Sequence, residues 1–186
     1  MTVTTIPTAG IADDAVGNTK LDLSANYAFT GSVTGAGKIL QVVGTSITSN
    51  QSGNTSSEII IPNYVANITP SATSSKILIL FSGICQTSDS NSAAQNAVFK
   101  LRVNTGSAAT ASSLDPQQVR FGAYNYASAA GATEEHGVLT FNYLHSPSTT
   151  SAVHVGISVA NYDGEPSWNL GISNYQSHWT LIEVAG

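Results

Sequence analysis

The feature that most constrains this chain is an apolar–polar alternation of period two, repeated in short segments along most of its length. Val153, Val155, Ile157 and Val159 point one way, and His154, Gly156, Ser158 and Ala160 the other. Val98, Leu101 and Val103 mix with Lys100, Arg102 and Asn104. In the closing segment Trp179, Leu181 and Glu183 share a face opposite Thr180, Ile182 and Val184, so both faces carry apolar residues. Such spacing suits strands, whose side chains alternate between two faces, and no stretch reads as a long helix.

Turn signals divide the chain into ten strand candidates, at 38–47, 57–61, 64–69, 75–85, 96–104, 117–127, 137–144, 152–161, 167–173 and 177–184. Between them lie NQSGNTS, TPSATSS, SDSNSAAQ, TGSAATASSLDP, SPSTTS and YDGEP, all of turn or loop composition. NYVANIT and SKILILF, joined by a short turn containing Pro70, read as an antiparallel pair. Many short strands at this spacing predict an all-β antiparallel sandwich or jelly roll over residues 38–186. Residues 1–37 are different. Asp13 and Asp14 begin a stretch long enough only for a brief helical turn, and Phe29 and Val33 are isolated apolar points among Thr, Ser and Gly. They read as an extended N-terminal arm for attachment or trimerisation, ordered by neighbouring copies or a mounting site.

Charge narrows the function classes. Only 9% of residues are Asp, Glu, Lys or Arg, and the formal net charge is −5. The six basic residues are scattered, so the cationic density of a phosphate-binding groove is missing and nucleic acid is not expected as a partner. Lys100 and Arg102 share a strand face and read as a solvated face or a salt bridge between subunits. No run of 18 apolar residues is present, and the first residues show neither the basic nor the apolar part of a signal peptide, so membrane insertion is not expected. The single cysteine, Cys85, ends an apolar run and reads as a core thiol.

Catalytic and metal signatures are missing. The four histidines form no HxH, HxxxH or HExxH pattern, and neither a GxSxG elbow nor a phosphate-binding glycine loop occurs. Neither a cofactor nor a metal is expected; the nearest to a metal set is Glu134, Glu135 and His136, in a segment that reads as an exposed loop. His154, in mid-strand on the less apolar face, suits a subunit interface. Asp163 and Glu165 lie two apart in the tight turn YDGEP, which splays a would-be catalytic pair. The aromatic residues crowd the second half of the chain, most of them suited to core or interface. Tyr162 and Trp168 flank that turn, and exposed rings beside hydrogen-bonding carboxylates are what a sugar-binding surface needs. Tyr162, Asp163, Glu165 and Trp168 are therefore the candidate ligand-binding residues, with 86–95, 105–116, 128–136 and 162–168 as candidate tip loops.

Several segments in order resemble one family. GKILQVV, NITPSATSSKILIL, LTFNYLHSPSTTSAVHVGISV and WTLIEVAG, preceded by IADDAVGNTKLDLSANYAFTGSVTGAG, are similar to the C-terminal domain of tail-fibre-like proteins of marine and cyanobacterial tailed phages and its preceding segment. The resemblance implies a virion structural protein made in the host cytoplasm. It implies a parallel homotrimer, mounted through its N-terminal region on an adaptor, tail or capsid protein, with a β-rich head that meets host surface polysaccharide. It implies no catalytic residue. A head fibre or capsid decoration without receptor binding, and an enzyme that degrades surface polysaccharide, are the alternatives.

Overall fold

A computed structural model describes residues 38–54, 57–89, 95–123, 133–163, 167–172 and 175–186. The expected arm, residues 1–37, lies outside the described residues. The strands belong to one compact unit, Gly35–Gly186. They are β1 (Ile39–Ile47), β2 (Gln51–Gly53), β3 (Ile59–Ile68), β4 (Lys76–Asp89), β5 (Gln95–Thr105), β6 (Leu114–Ala123), β7 (Thr133–His145), β8 (Val153–Asp163), β9 (Ser167–Leu170) and β10 (Ser177–Val184). No helix occurs among the described residues.

All strand pairs are antiparallel, in two sheets. Along one edge of the 14-residue β4, β10 pairs with Lys76–Ser82 and β9 with Cys85–Ser88; β7 takes the other edge. β9 and β10 thus lie end to end in one row, and β2 and β1 continue the next row in the same way. The first sheet therefore has four rows: β7, β4, β9 with β10, and β2 with β1. The second has the order β3-β8-β5-β6. In chain order the rows fall in the first, second, first, second, second, first, second and first sheet. That is the strand order of a jelly roll, one of the two architectures expected from many short strands at this spacing.

The core fills the space between the sheets. Ile77, Ile79, Phe81, Leu139, Trp179 and Leu181 on one side meet Tyr64, Phe99, Leu101, Val155 and Ile157 on the other, all buried. Phe81 anchors an aromatic cluster, 4.7 Å from Trp179 and 6.2 Å from Tyr64 between ring centroids. The row formed by β9 and β10 is interrupted at Gly171, whose φ of 77° suits a residue without a side chain. Its N–H donates to Ile84 O at 2.9 Å, and the Tyr64 hydroxyl occupies the space a Cβ would need.

Three expectations change. The segments 57–61 and 64–69 form one strand, β3, with a register shift between Ile60 and Val65 and a left-handed Asn63. Pro62 sits within this strand because β3 is a sheet edge, where a missing N–H costs little. β3 and β4 do not pair. They stand face to face across the core, so Tyr64 meets Phe81 ring to ring, and the turn at 69–75 carries the chain from one sheet to the other. The short strand β2 falls in a segment whose composition reads as a loop.

Candidate functional site

Strand direction gathers several strand ends at one end of the sandwich. Ser88 of β4 lies opposite both Ser167 of β9 and Glu134 of β7, while Asn96 of β5 lies opposite Gly122 of β6 and Asp163 of β8. From these termini the chain enters 90–94, 124–132 and 164–166, which lie outside the described residues. Three of the four expected tip loops, 86–95, 128–136 and 162–168, fall at this end, but their described residues are strand: 86–89 in β4, 95 in β5, 133–136 in β7, 162–163 in β8 and 167–168 in β9. The fourth, 105–116, does not fall there. It joins the opposite ends of β5 and β6 and folds back along the outer face of the second sheet. There Arg102 Nη1 donates to Ser113 O at 2.9 Å, Asn104 Nδ2 donates to Ser107 Oγ at 2.8 Å, and buried Ala109 packs toward Gly156.

The four candidate ligand residues are not together on a described surface. Glu165 lies outside the described residues. Tyr162 and Asp163 belong to β8, and their side chains are likewise outside what is described. Trp168 is a correction to the expectation of an exposed ring: its side chain is only 1% exposed. Alternation along β9 turns Trp168 and Leu170 inward, where the indole meets Phe99 edge-on at 6.5 Å and packs over Gly53. Its place beside a polar turn made it look like a surface residue, but the direction of β9 sends it to the core.

Charged side chains anchor two clusters that tie strands together within the chain. On the second sheet, Lys100 and Arg102 project from β5 to Glu58, which immediately precedes β3. Lys100 Nζ donates to Glu58 Oε2 at 2.9 Å, Arg102 Nε to Glu58 Oε1 at 3.0 Å, and Ser158 Oγ to the same oxygen at 2.5 Å. Arg102 Nη2 also contacts Glu58, and Asp115 completes the set 3.7 Å from Arg102 and 3.8 Å from Lys100. The pair read as a solvated face or a subunit bridge is thus tied within its own chain, and Arg102 is buried. Burial pushes the Glu58 carboxyl up, but hydrogen bonds from Ser158, Lys100 and Arg102, with the guanidinium charge, outweigh it and hold it below its ordinary value.

The second cluster surrounds Glu183, which faces inward beside Trp179 and Leu181 and is wholly removed from solvent. Ser71 donates to Oε1 through both its N–H and its hydroxyl, each at 2.7 Å. Gln41 Nε2 donates to Oε2 at 2.6 Å and to Thr69 O at 2.6 Å. The carboxylate thereby fastens the 69–75 crossover to β1 and β10. Burial would raise its pKa, yet the nearby Ser75 hydroxyl, both Ser71 donors and Gln41 bring it down to about 2. The Ser75 contribution is one of proximity, since that buried hydroxyl makes no well-aligned hydrogen bond. Alternation in the last strand put Glu183 on one face with Trp179 and Leu181, and the packed sheets turn that face inward. No sequence signal links Glu58 to residues 42 and 44 positions away.

The remaining reactive side chains are dispersed. Cys85 is buried, its thiol is pushed up to about 12 chiefly by burial, and it points to Gly137 O at 3.6 Å. His136 Nε2 lies 3.5 Å from Glu134 Oε2 on an exposed surface. Among the described residues no three His, Cys, Asp or Glu side chains are grouped to hold a metal ion. His145 is pushed down by burial and stacks loosely on Tyr143 at 6.0 Å.

No family model matches the chain, and no curated protein matches it. Among solved structures, the chain is similar to the infectious bursal disease virus VP2 subviral particle, with 12% identity and a TM-score of 0.36 over 87% of this chain. A structure of the Gx strain of infectious bursal disease virus gives 13% identity and a TM-score of 0.31, again over 87% of this chain. The chain spans 44% of the length of both. The jelly-roll assignment rests on the strand order alone.

Proposed function

We propose that this chain is a structural component of a tailed-phage virion, a trimeric tail fibre or knob whose head attaches to host cell-surface glycan. The observation that carries this reading is the convergence of strand termini at one end of a jelly roll. From it leave 90–94, 124–132 and 164–166, with the sequences SNSAA, YNYASAAGA and GEP. Hydroxyl, amide and tyrosine groups on a rigid β-scaffold suit sugar hydroxyls, and loops at one end of a sandwich are free to vary without disturbing the core. Two of the acids, Glu58 and Glu183, are committed to structural hydrogen bonds and so are not free to act in hydrolysis. The resemblance to phage fibre heads adds the mounting through residues 1–37 and the trimer. Three weak sites on one particle then act with the avidity of linked binding.

The test is binding of the purified, labelled oligomer to intact host cells, with a heat-denatured control and competing surface polysaccharide. Saturable binding that the polysaccharide abolishes is expected. A folded oligomer that binds no susceptible host turns the reading to a head fibre or decoration, and release of reducing ends from the polysaccharide turns it to an enzyme.

A further inference from the structure

The two outer faces of the sandwich are treated differently by the chain. On the second sheet the 106–113 segment and the Glu58–Arg102 cluster cover part of the face. On the first sheet no described segment does so, and the register lines up an apolar band across all four rows of strands. Val42 lies opposite Ile182, Ile182 opposite Leu78, and Leu78 opposite Leu144. Val184 and Leu80 flank the band, and Ile84 with Val138 extends it along β4 and β7. Val42, Leu144 and Val138 are 58%, 51% and 65% exposed. Between them lies a shallow depression lined by Leu80, Ser82, Thr140, Asn142, His178 and Thr180, where smaller side chains leave room. Charge is confined to the two ends of the β4–β7 face, with Lys76 at one and Glu134 at the other.

We infer that this face is where copies of the chain meet, three of them around an axis that runs along the strands. The inference rests on the trimeric reading above and adds the surface that makes it. Width favours three copies. Four rows at the usual strand spacing make a face about 19 Å across. Three such faces closed into a triangular prism lie roughly 5 to 6 Å from the axis, about half the normal distance between packed sheets, so their side chains fill the centre. Area agrees: the apolar part covers on the order of 500 Å² and the whole face about 700 Å², close to one partner's share of a stable interface. Parallel copies bring like charges together only at the two open ends, where water and salt screen them. A two-fold pairing of the same faces would instead place Lys76 of one copy against Glu134 of the other.

The experiment measures the solution mass of the full chain and of Val42→Asp/Leu144→Asp, with Leu114→Asp as a control. Leu114 is 53% exposed on the second sheet, so the control carries the same chemical change elsewhere. The mass of three 19.2 kDa chains is expected for the wild type and the control. The double variant should show at least ~100-fold weaker assembly, with an unchanged far-UV spectrum. Carbene footprinting of the unmodified protein gives an independent reading, with Val138 and Leu144 protected in the oligomer. A trimer that ignores the double variant and leaves Val138 and Leu144 labelled overturns the face while the fibre reading stands. A dimer overturns the three-fold arrangement. A monomeric wild type at micromolar concentration overturns both the interface and the trimer.

Discussion

Replacing Glu183 by Gln should remove a pH-dependent part of the stability, and its size follows from the surroundings of the carboxylate. Held at about 2 against an ordinary 4.5, the ionised group favours the folded state by roughly 3 kcal/mol. Glu183 is closed to solvent but sits near the end of β10, at the rim of the sandwich, so screening reduces this to about 2 kcal/mol. Because the folded value is the lower one, the contribution is complete above about pH 5. It is lost as the pH falls through 4.5 toward 2. Glu183→Gln also turns an amide donor toward Ser71 and Gln41, which already donate there, and so leaves a polar group unpaired at a cost of ~1–3 kcal/mol. Urea unfolding at fixed protein concentration, followed by the fluorescence of buried Trp168 and Trp179, reads both proteins. At pH 7 the variant should be less stable by about 3–5 kcal/mol, and the gap should narrow by more than ~1 kcal/mol by pH 3. Glu58, also held low, gives a similar acid slope in both proteins and largely drops out of the difference. A gap that stays constant from pH 7 to pH 3 refutes the assignment of Glu183 as a buried, ionised fastener.

Other consequences are open to the same unfolding assay and to simple chemistry. Arg102→Ala should cost ~2–3 kcal/mol, at or below the ~3–5 kcal/mol of breaking a fully buried pair, because Lys100 and Ser158 still reach Glu58; a loss below ~1 kcal/mol contradicts the cluster as described. Arg102→Lys should restore little of it, since an ammonium lacks the planar fork that spans Glu58, Ser158 and Ser113. Trp168→Ala should destabilise by ~3–5 kcal/mol while Trp168→Phe keeps host-cell binding, and loss of binding by a stable Trp168→Phe head would return that ring to the ligand site. Cys85 should resist thiol reagents at pH 8 until the protein unfolds, so rapid labelling in native buffer contradicts its burial and its value of about 12.

What the sequence by itself determined is local. The period of two named nearly all the strands, and for β8 also the inward face, because side-chain direction depends only on position along one strand; in β10 both faces carry apolar residues, and only packing decided which turns inward. It put Cys85 in the core and set Glu183 beside Trp179 and Leu181. Turn residues marked the ends of strands because Gly, Pro, Asn and Ser act within a few residues. Pro62 and Asn63 broke that pattern, so one edge strand read as two.

Tertiary structure alone decided which strands pair and what covers each face. Strand pairing is a contact between distant residues, and a short turn serves equally well for a hairpin in one sheet or a crossover between two. β3 and β4 took the crossover, because their apolar faces bury more against each other across the core than they would side by side. The same non-locality hid Glu58 from Lys100 and Arg102, turned Trp168 inward through the direction of β9, and left the first sheet's outer band without a cover from the described chain. Alternation states which side chains share a face; only the packed sheets state whether that face meets core, water or another chain.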